Sequence, residues 1–138
     1  MIIADTGFWL ALANRRDTHH LRAQKVLSTL AEPLVTTWPV MTETCHLLAN
    51  RLAPDAARRF LRSERNGGFE VHSIERRELV RVEVLMEKYR TLPMDLADAS
   101  LVLLAEHLGH GRVLSTDQRD FETYRWKQHE PFENLLLS

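Results

Sequence analysis

The feature that most constrains this chain is a repeated one. Short apolar runs, each stopped by a turn or a hydroxyl or acidic residue, alternate with longer stretches of helical period. Ile2-Ile3-Ala4 ends at Asp5-Thr6-Gly7, Leu34-Val35-Thr36-Thr37 closes before Pro39, Phe69 to Ile74 follows a glycine pair, and Arg112-Val113-Leu114-Ser115 stops at Thr116-Asp117. Runs this short read as strands, and unbroken apolarity is the pattern of strands covered on both faces. Strands alternating with helices predict an α/β domain with a mostly parallel central sheet and helices on both sides. In such sheets ligands sit beyond the carboxyl ends of the strands. Whatever chemistry the chain performs should gather at that edge.

The intervening segments fill in the helices. Phe8 to Asn14 allows a turn or two, and Asp17-Thr18 can cap a helix with Leu21, Val26, Leu27 and Leu30 on its apolar side. Pro39 suits a first helical turn, after which Met41, Cys45, Leu48 and Leu52 share a face. Pro54-Asp55 opens a helix closed by Asn66-Gly67-Gly68, and Leu79, Val82, Leu85 and Met86 give helical period to Glu75–Tyr89. Leu96 to Leu108 is so apolar that it should be a buried helix, ended by Gly109. The last twenty residues are mixed, with Phe121, Tyr124 and Trp126 available to pack back on the body.

The 138 residues, 44% hydrophobic and 27% charged, suit one globular domain over residues 1–138. The single Cys45 excludes an internal disulfide, no apolar run reaches membrane-spanning length, and the N-terminus lacks a basic leader. The expectation is a cytoplasmic protein with no membrane contact. A formal net charge of −1 excludes a strongly basic nucleic-acid binder. Arginine nevertheless supplies 15 of the 18 basic residues, and arginine is the better fork for phosphate.

Carboxylates recur where the fold places strand and helix ends. Asp5 and Asp117 follow the first and last of the strands above, so a parallel sheet brings both to one edge. Asp95 and Asp98 open the apolar helix at a spacing that stacks them on one face. Glu43 lies on the helix after the second strand, roughly opposite Met41, Cys45 and Leu48. Each acid alone also fits a quieter role: Asp5, Asp95 and Asp117 as helix caps, Asp98 as the third residue of a capping box, Glu43 on a solvated face. Converged without a cation, four or five carboxylates would cost roughly several kcal/mol in repulsion and lost hydration. Mg²⁺ or Mn²⁺ would relieve that, since hard divalent ions prefer carboxylate oxygen.

The ordered set Ile2-Ile3-Ala4-Asp5-Thr6-Gly7, Thr42-Glu43, Met94-Asp95-Leu96-Ala97-Asp98-Ala99-Ser100 and Leu114-Ser115-Thr116-Asp117 with Asp120-Phe121 resembles a PIN domain, most of all the VapC-type ribonuclease toxins of toxin–antitoxin pairs. The resemblance spans residues 1 to about 126. It implies an α/β/α sandwich, an endoribonuclease dependent on Mg²⁺ or Mn²⁺, homodimers, and a cognate antitoxin protein as partner. Position by position, it makes Asp5, Glu43, Asp98 and Asp117 the catalytic acids, with Asp5, Asp98 and Asp117 as metal ligands. Thr6 and Ser115 match hydroxyl positions near the acids, and Asp95 reads as supporting or capping. The implied reaction is in-line hydrolysis by water, with Glu43 orienting or deprotonating it. No protein nucleophile is needed, in keeping with the lack of a Ser/His/Asp or Cys/His set.

Arg58, Arg62 and Arg65 share a helical face and can contact RNA phosphates, although a solvated face explains them too. Trp9 and Trp38 can stack bases or pack in a core or interface. Two other classes compete. A phospho-receiver domain wants paired acids after the first strand, where Thr6-Gly7 stand, and a lysine after the last, whereas Lys25, Lys88 and Lys127 are all misplaced for that role. A PIN-like RNA- or protein-binding module without catalysis would keep the fold but has no need of the full acid set.

Overall fold

The computed structural model describes residues 1–137. Five strands form one parallel sheet: β1 (Ile2–Ala4), β2 (Leu34–Thr37), β3 (Glu70–His72), β4 (Arg112–Leu114) and β7 (Glu133–Asn134), in the order β3-β2-β1-β4-β7. Between β1 and β2 run α1 (Thr6–Ala13) and α2 (His20–Thr29). Between β2 and β3 run α3 (Trp38–Arg51) and α4 (Pro54–Arg65). A single 3₁₀ turn, Arg76–Glu78, leads into α5 (Leu79–Lys88), and α6 (Leu96–Leu108) precedes β4. The chain steps outward from β1 to β3 and then returns to β1's other side. Right-handed crossovers therefore put α1–α4 on one face and α5–α6 on the other.

The centre of the sheet is built from the short apolar runs. Every residue of β1 and β2 is buried, as parallel strands covered on both sides require. The all-apolar stretch of α6 also comes from burial: Ala99, Leu101, Val102, Leu104 and Ala105 are at most 1% exposed. Asp95 and Asp98 form a reciprocal capping box at its start, and Gly109 closes it at φ +79°, a left-handed turn favouring glycine.

Several local expectations are corrected by packing. Leu21 and Leu27 are 78% and 42% exposed, because α2 buries His20 and Ala23 instead. Asp17 accepts the His19 amide at 2.8 Å ahead of the helix rather than capping its first turn. Leu52, Leu79 and Met86 also face outward. The C-terminal stretch is more ordered than its composition suggests. It forms α7 (Gln118–Thr123), a small hairpin of β5 (Arg125–Trp126) with β6 (Glu130–Pro131), and β7 on the main sheet. Phe121 and Tyr124 pack inward as expected and Trp126 does so by half, while the core continues past residue 126 to the wholly buried Leu136. Among the described residues no helix is long and apolar enough to cross a membrane.

Candidate active site

The strand order leaves β1 and β4 side by side, and both end at the same edge. Asp5 leaves β1 as the N-cap of α1. Its Oδ1 accepts the Thr6 amide at 2.7 Å and its Oδ2 accepts the Ser115 hydroxyl at 2.9 Å. Ser115 follows β4, and its Oγ also accepts the Asp117 amide at 2.9 Å. One buried hydroxyl therefore ties together the acids at the ends of two neighbouring strands. Asp117 is exposed and caps α7, accepting the Asp120 amide at 3.3 Å.

The start of α6 enters the same edge. Buried Thr37 at the end of β2 meets Ser100 Oγ at 2.6 Å, which fixes the first turn of α6 against the sheet. Asp95 Oδ1 accepts the Asp98 amide at 2.8 Å, and Asp98 Oδ2 accepts the Asp95 amide at 3.2 Å. The same Asp98 Oδ2 accepts the hydroxyl of Tyr124 at 3.2 Å. Capping and site formation are thus not alternatives: Asp5, Asp95 and Asp117 do cap helices, and the helix starts are what bring the acids to one place.

The charges of these acids act on one another. Burial pushes Asp5 from 3.8 up to about 6, with the negative charges of Glu43 and Asp117 adding to the shift and the Ser115 and Thr6 hydrogen bonds opposing it. Burial likewise drives Asp98 well above the usual carboxylate range, reinforced by Asp95 and Asp5. Asp120 rises to about 6 through burial and through Asp117. Glu43 is half-buried rather than on a solvated face, and it lines a groove of about 590 Å³ with Trp38, His46, Asp95 and Leu96. Asp5, Glu43, Asp95, Asp98, Asp117 and Asp120 therefore share one field, supported by Ser115.

Other expected residues lie elsewhere. Arg58, Arg62 and Arg65 line a separate hollow with Leu61 that shares no residue with the Glu43 groove, and Arg58 lies 3.5 Å from Asp55. Trp9 is buried against Phe8, Phe60 and Phe69 and offers no face for a base, whereas Trp38 is half-exposed beside Glu43. Sequence reasoning quoted Asp120 within the motif set without giving it a role, and it missed Tyr124. For Asp120 the available signal was spacing: Asp117-x-x-Asp120 repeats Asp95-x-x-Asp98.

The donor set suits a hard divalent cation, because the acids supply carboxylate oxygen only. Thr6 Oγ1, beside Asp5, is a buried oxygen without a hydrogen-bond partner among the described residues. No three Asp, Glu, His or Cys side chains among them form a ready-made ion cage.

Comparison with known proteins identifies the family and the fold. The sequence profile of the PIN domain matches residues 2–127. A Mycobacterium tuberculosis protein named Ribonuclease VapC26 is 27% identical over 124 residues, which cover 90% of this chain and 92% of that protein. The crystal structure of M. tuberculosis VapC20, described as a sarcin–ricin loop cleaving toxin, superposes with a TM-score of 0.80 at 20% identity, covering 86% of this chain and 92% of that one. With the strand order, the shared carboxylate edge and a profile match over nearly its whole length, the chain belongs to the PIN domain family.

Proposed function

We propose that this chain is an endoribonuclease dependent on Mg²⁺ or Mn²⁺, acting in the cytoplasm as the toxin of a toxin–antitoxin pair. The observation that carries the reading is the gathering of acids from distant parts of the sequence at one sheet edge: buried Asp5, bonded to Ser115 and raised further by the charges of Glu43 and Asp117, and Asp98, raised by burial and by the charges of Asp95 and Asp5. The relationship to Ribonuclease VapC26 supports RNA as the substrate. Asp5, Asp98 and Asp117 would hold the cation, which supplies the positive charge that in-line hydrolysis of a phosphodiester needs. Glu43 orients or deprotonates the attacking water. Ser115 and Thr6 fix Asp5, while Asp95 holds Asp98 through the capping box.

Two surfaces support the expected protein partners. A groove lined by half-buried Leu12 and Phe60 over the buried Trp9 and Leu48, bounded by Arg15 and Arg59, suits an antitoxin segment that mixes apolar and acidic residues. Exposed Trp38, Leu79 and Leu96 form an apolar face suited to a second copy of the chain.

The deciding experiment compares wild type and Asp98→Asn on a mixed RNA pool with Mg²⁺, Mn²⁺ or EDTA. Wild-type cleavage with either metal, lost with EDTA and lost in the variant, is the expected result. Cleavage that survives both EDTA and the substitution would reject the mechanism.

A further inference from the structure

Asp98 has an attachment that the acid motif does not account for. Both hydrogen bonds it accepts fall on one oxygen: Oδ2 takes the Asp95 amide and the Tyr124 hydroxyl, each at 3.2 Å. Its Oδ1 accepts from nothing among the described residues. A carboxylate held by one oxygen presents the other in a fixed direction, and that is the geometry a cation ligand needs.

Tyr124 is built to act as a fixed post. Its side chain is wholly buried although its hydroxyl reaches the acids. Its ring is wedged edge-to-face against Tyr89 at 5.1 Å and Phe121 at 5.4 Å, and Phe121 is in turn edge-on to Phe132 at 5.2 Å. The backbone is pinned as well. The Tyr124 amide bonds Asp120 O at 2.8 Å, and the next amide, Arg125, donates to the Tyr89 hydroxyl at 3.0 Å. A rigid donor on a packed aromatic wedge gives up little rotamer freedom when it bonds, unlike a surface side chain.

We infer that Tyr124 is a positioning residue for Asp98, its hydroxyl clamping Oδ2 so that Oδ1 would be held in one orientation for a cation to use. The inference rests on the divalent-cation reading above. Partners of this kind behind metal ligands typically change metal affinity by about 10–100-fold when removed. The Asp95 amide remains in place without Tyr124, so the loss should lie near 10-fold.

The test measures Mn²⁺ binding by electron paramagnetic resonance on RNA-free wild type, Tyr124→Phe and Tyr89→Phe, together with the Mg²⁺ concentration that half-activates RNA cleavage. Tyr124→Phe keeps the ring and removes only the hydroxyl. Tyr89→Phe disturbs the same aromatic cluster but leaves the hydroxyl on Asp98. The expected result is Mn²⁺ affinity about 10-fold weaker in Tyr124→Phe alone. Its half-activating Mg²⁺ concentration should rise in parallel, with most of kcat restored at saturating metal. Unchanged Mn²⁺ affinity in Tyr124→Phe overturns the inference and leaves the nuclease reading standing. Equal weakening in both variants also overturns it, because packing would then be the cause. Absence of Mn²⁺ binding in wild type rejects the cation reading and this inference with it.

Discussion

Ser115 donates its hydroxyl to Asp5 Oδ2 at 2.9 Å across 110 residues of sequence, and neither group is exposed. Removing a donor from a buried carboxylate leaves an acceptor unsatisfied, which costs about 1–3 kcal/mol. Ser115→Ala also frees the Asp117 amide. The variant should lose about 1–3 kcal/mol in urea unfolding, and its RNA cleavage should fall by about tenfold as Asp5 and Asp117 lose their common anchor. Unfolding curves and cleavage rates measured on the same preparation would check both.

The raised acids make the metal-free protein unusually sensitive to base. The folded value of Asp5, about 6, lies above its ordinary 3.8, so the native state holds a proton that the unfolded chain has released. The contribution of Asp5 to stability is then largest below its ordinary value and declines as pH rises through that interval. Asp98 is shifted in the same direction and extends the decline upward. Without divalent cation, the Tm should therefore drop between pH 5 and pH 8, and Mg²⁺ should restore it at pH 8. Asp5→Asn should flatten the slope and melt higher than wild type at pH 8. Cleavage in Mg²⁺ should rise with pH over the same window, because ionised carboxylates are what bind the cation. Thermal melts with and without EDTA across this range are the measurement.

The strand ends and the α6 capping box were legible because local rules and the fold agree there. Ile2-Ile3-Ala4 can only be a buried strand, and Asp95-x-x-Asp98 before an apolar run starts a helix in almost any setting. β7 was not legible. Glu133 and Asn134 have no strand preference, and their pairing with Arg112 and Val113 is made by backbone bonds to Gly111 and Val113, with the Asn134 side chain adding a bond to Ser115 O at 3.0 Å. The role of Tyr124 was hidden for a similar reason, since the place of its hydroxyl depends on the turn after α7. For Arg58, Arg62 and Arg65 the shared face was readable, but not which part of the molecule that face would front.

Gly7 is a close approach that side-chain patterns do not reveal. A Cβ at this position would lie 1.8 Å from Thr116 Oγ1 and 3.0 Å from Thr116 Cβ. Thr116 sits between Ser115 and Asp117, so a methyl on α1 would push directly on the loop that holds both. Overpacking of this sort costs about 1–3 kcal/mol. Gly7→Ala should lose that much stability and most cleavage activity. Adding Thr116→Ala removes the 1.8 Å clash and should recover a large part of both. A double-mutant cycle on unfolding free energy and cleavage rate would show the coupling, and purely additive effects would argue against it.

The apolar face beside the acids gives a prediction about assembly. Trp38, Leu79 and Leu96 are about half-exposed and line one groove with Pro39 and Ile74, and Val80 and Val84 extend apolar exposure along α5. Contiguous apolar surface of this kind marks a contact site more often than a bare monomer surface. Trp38 and Leu96 also belong to the groove that holds Glu43 and Asp95, so a second copy seated here would wall one side of the approach to the carboxylates. Leu79→Glu puts a charge in the face without touching an acid of the site. Wild type should sediment as a dimer and Leu79→Glu as a monomer, with Mn²⁺ affinity unchanged and RNA cleavage reduced through weaker substrate binding, seen as a higher KM at similar kcat. A Leu79→Glu variant that remains dimeric would place the contact on another surface, and full activity in a proven monomer would show that one copy of the carboxylate edge suffices for RNA.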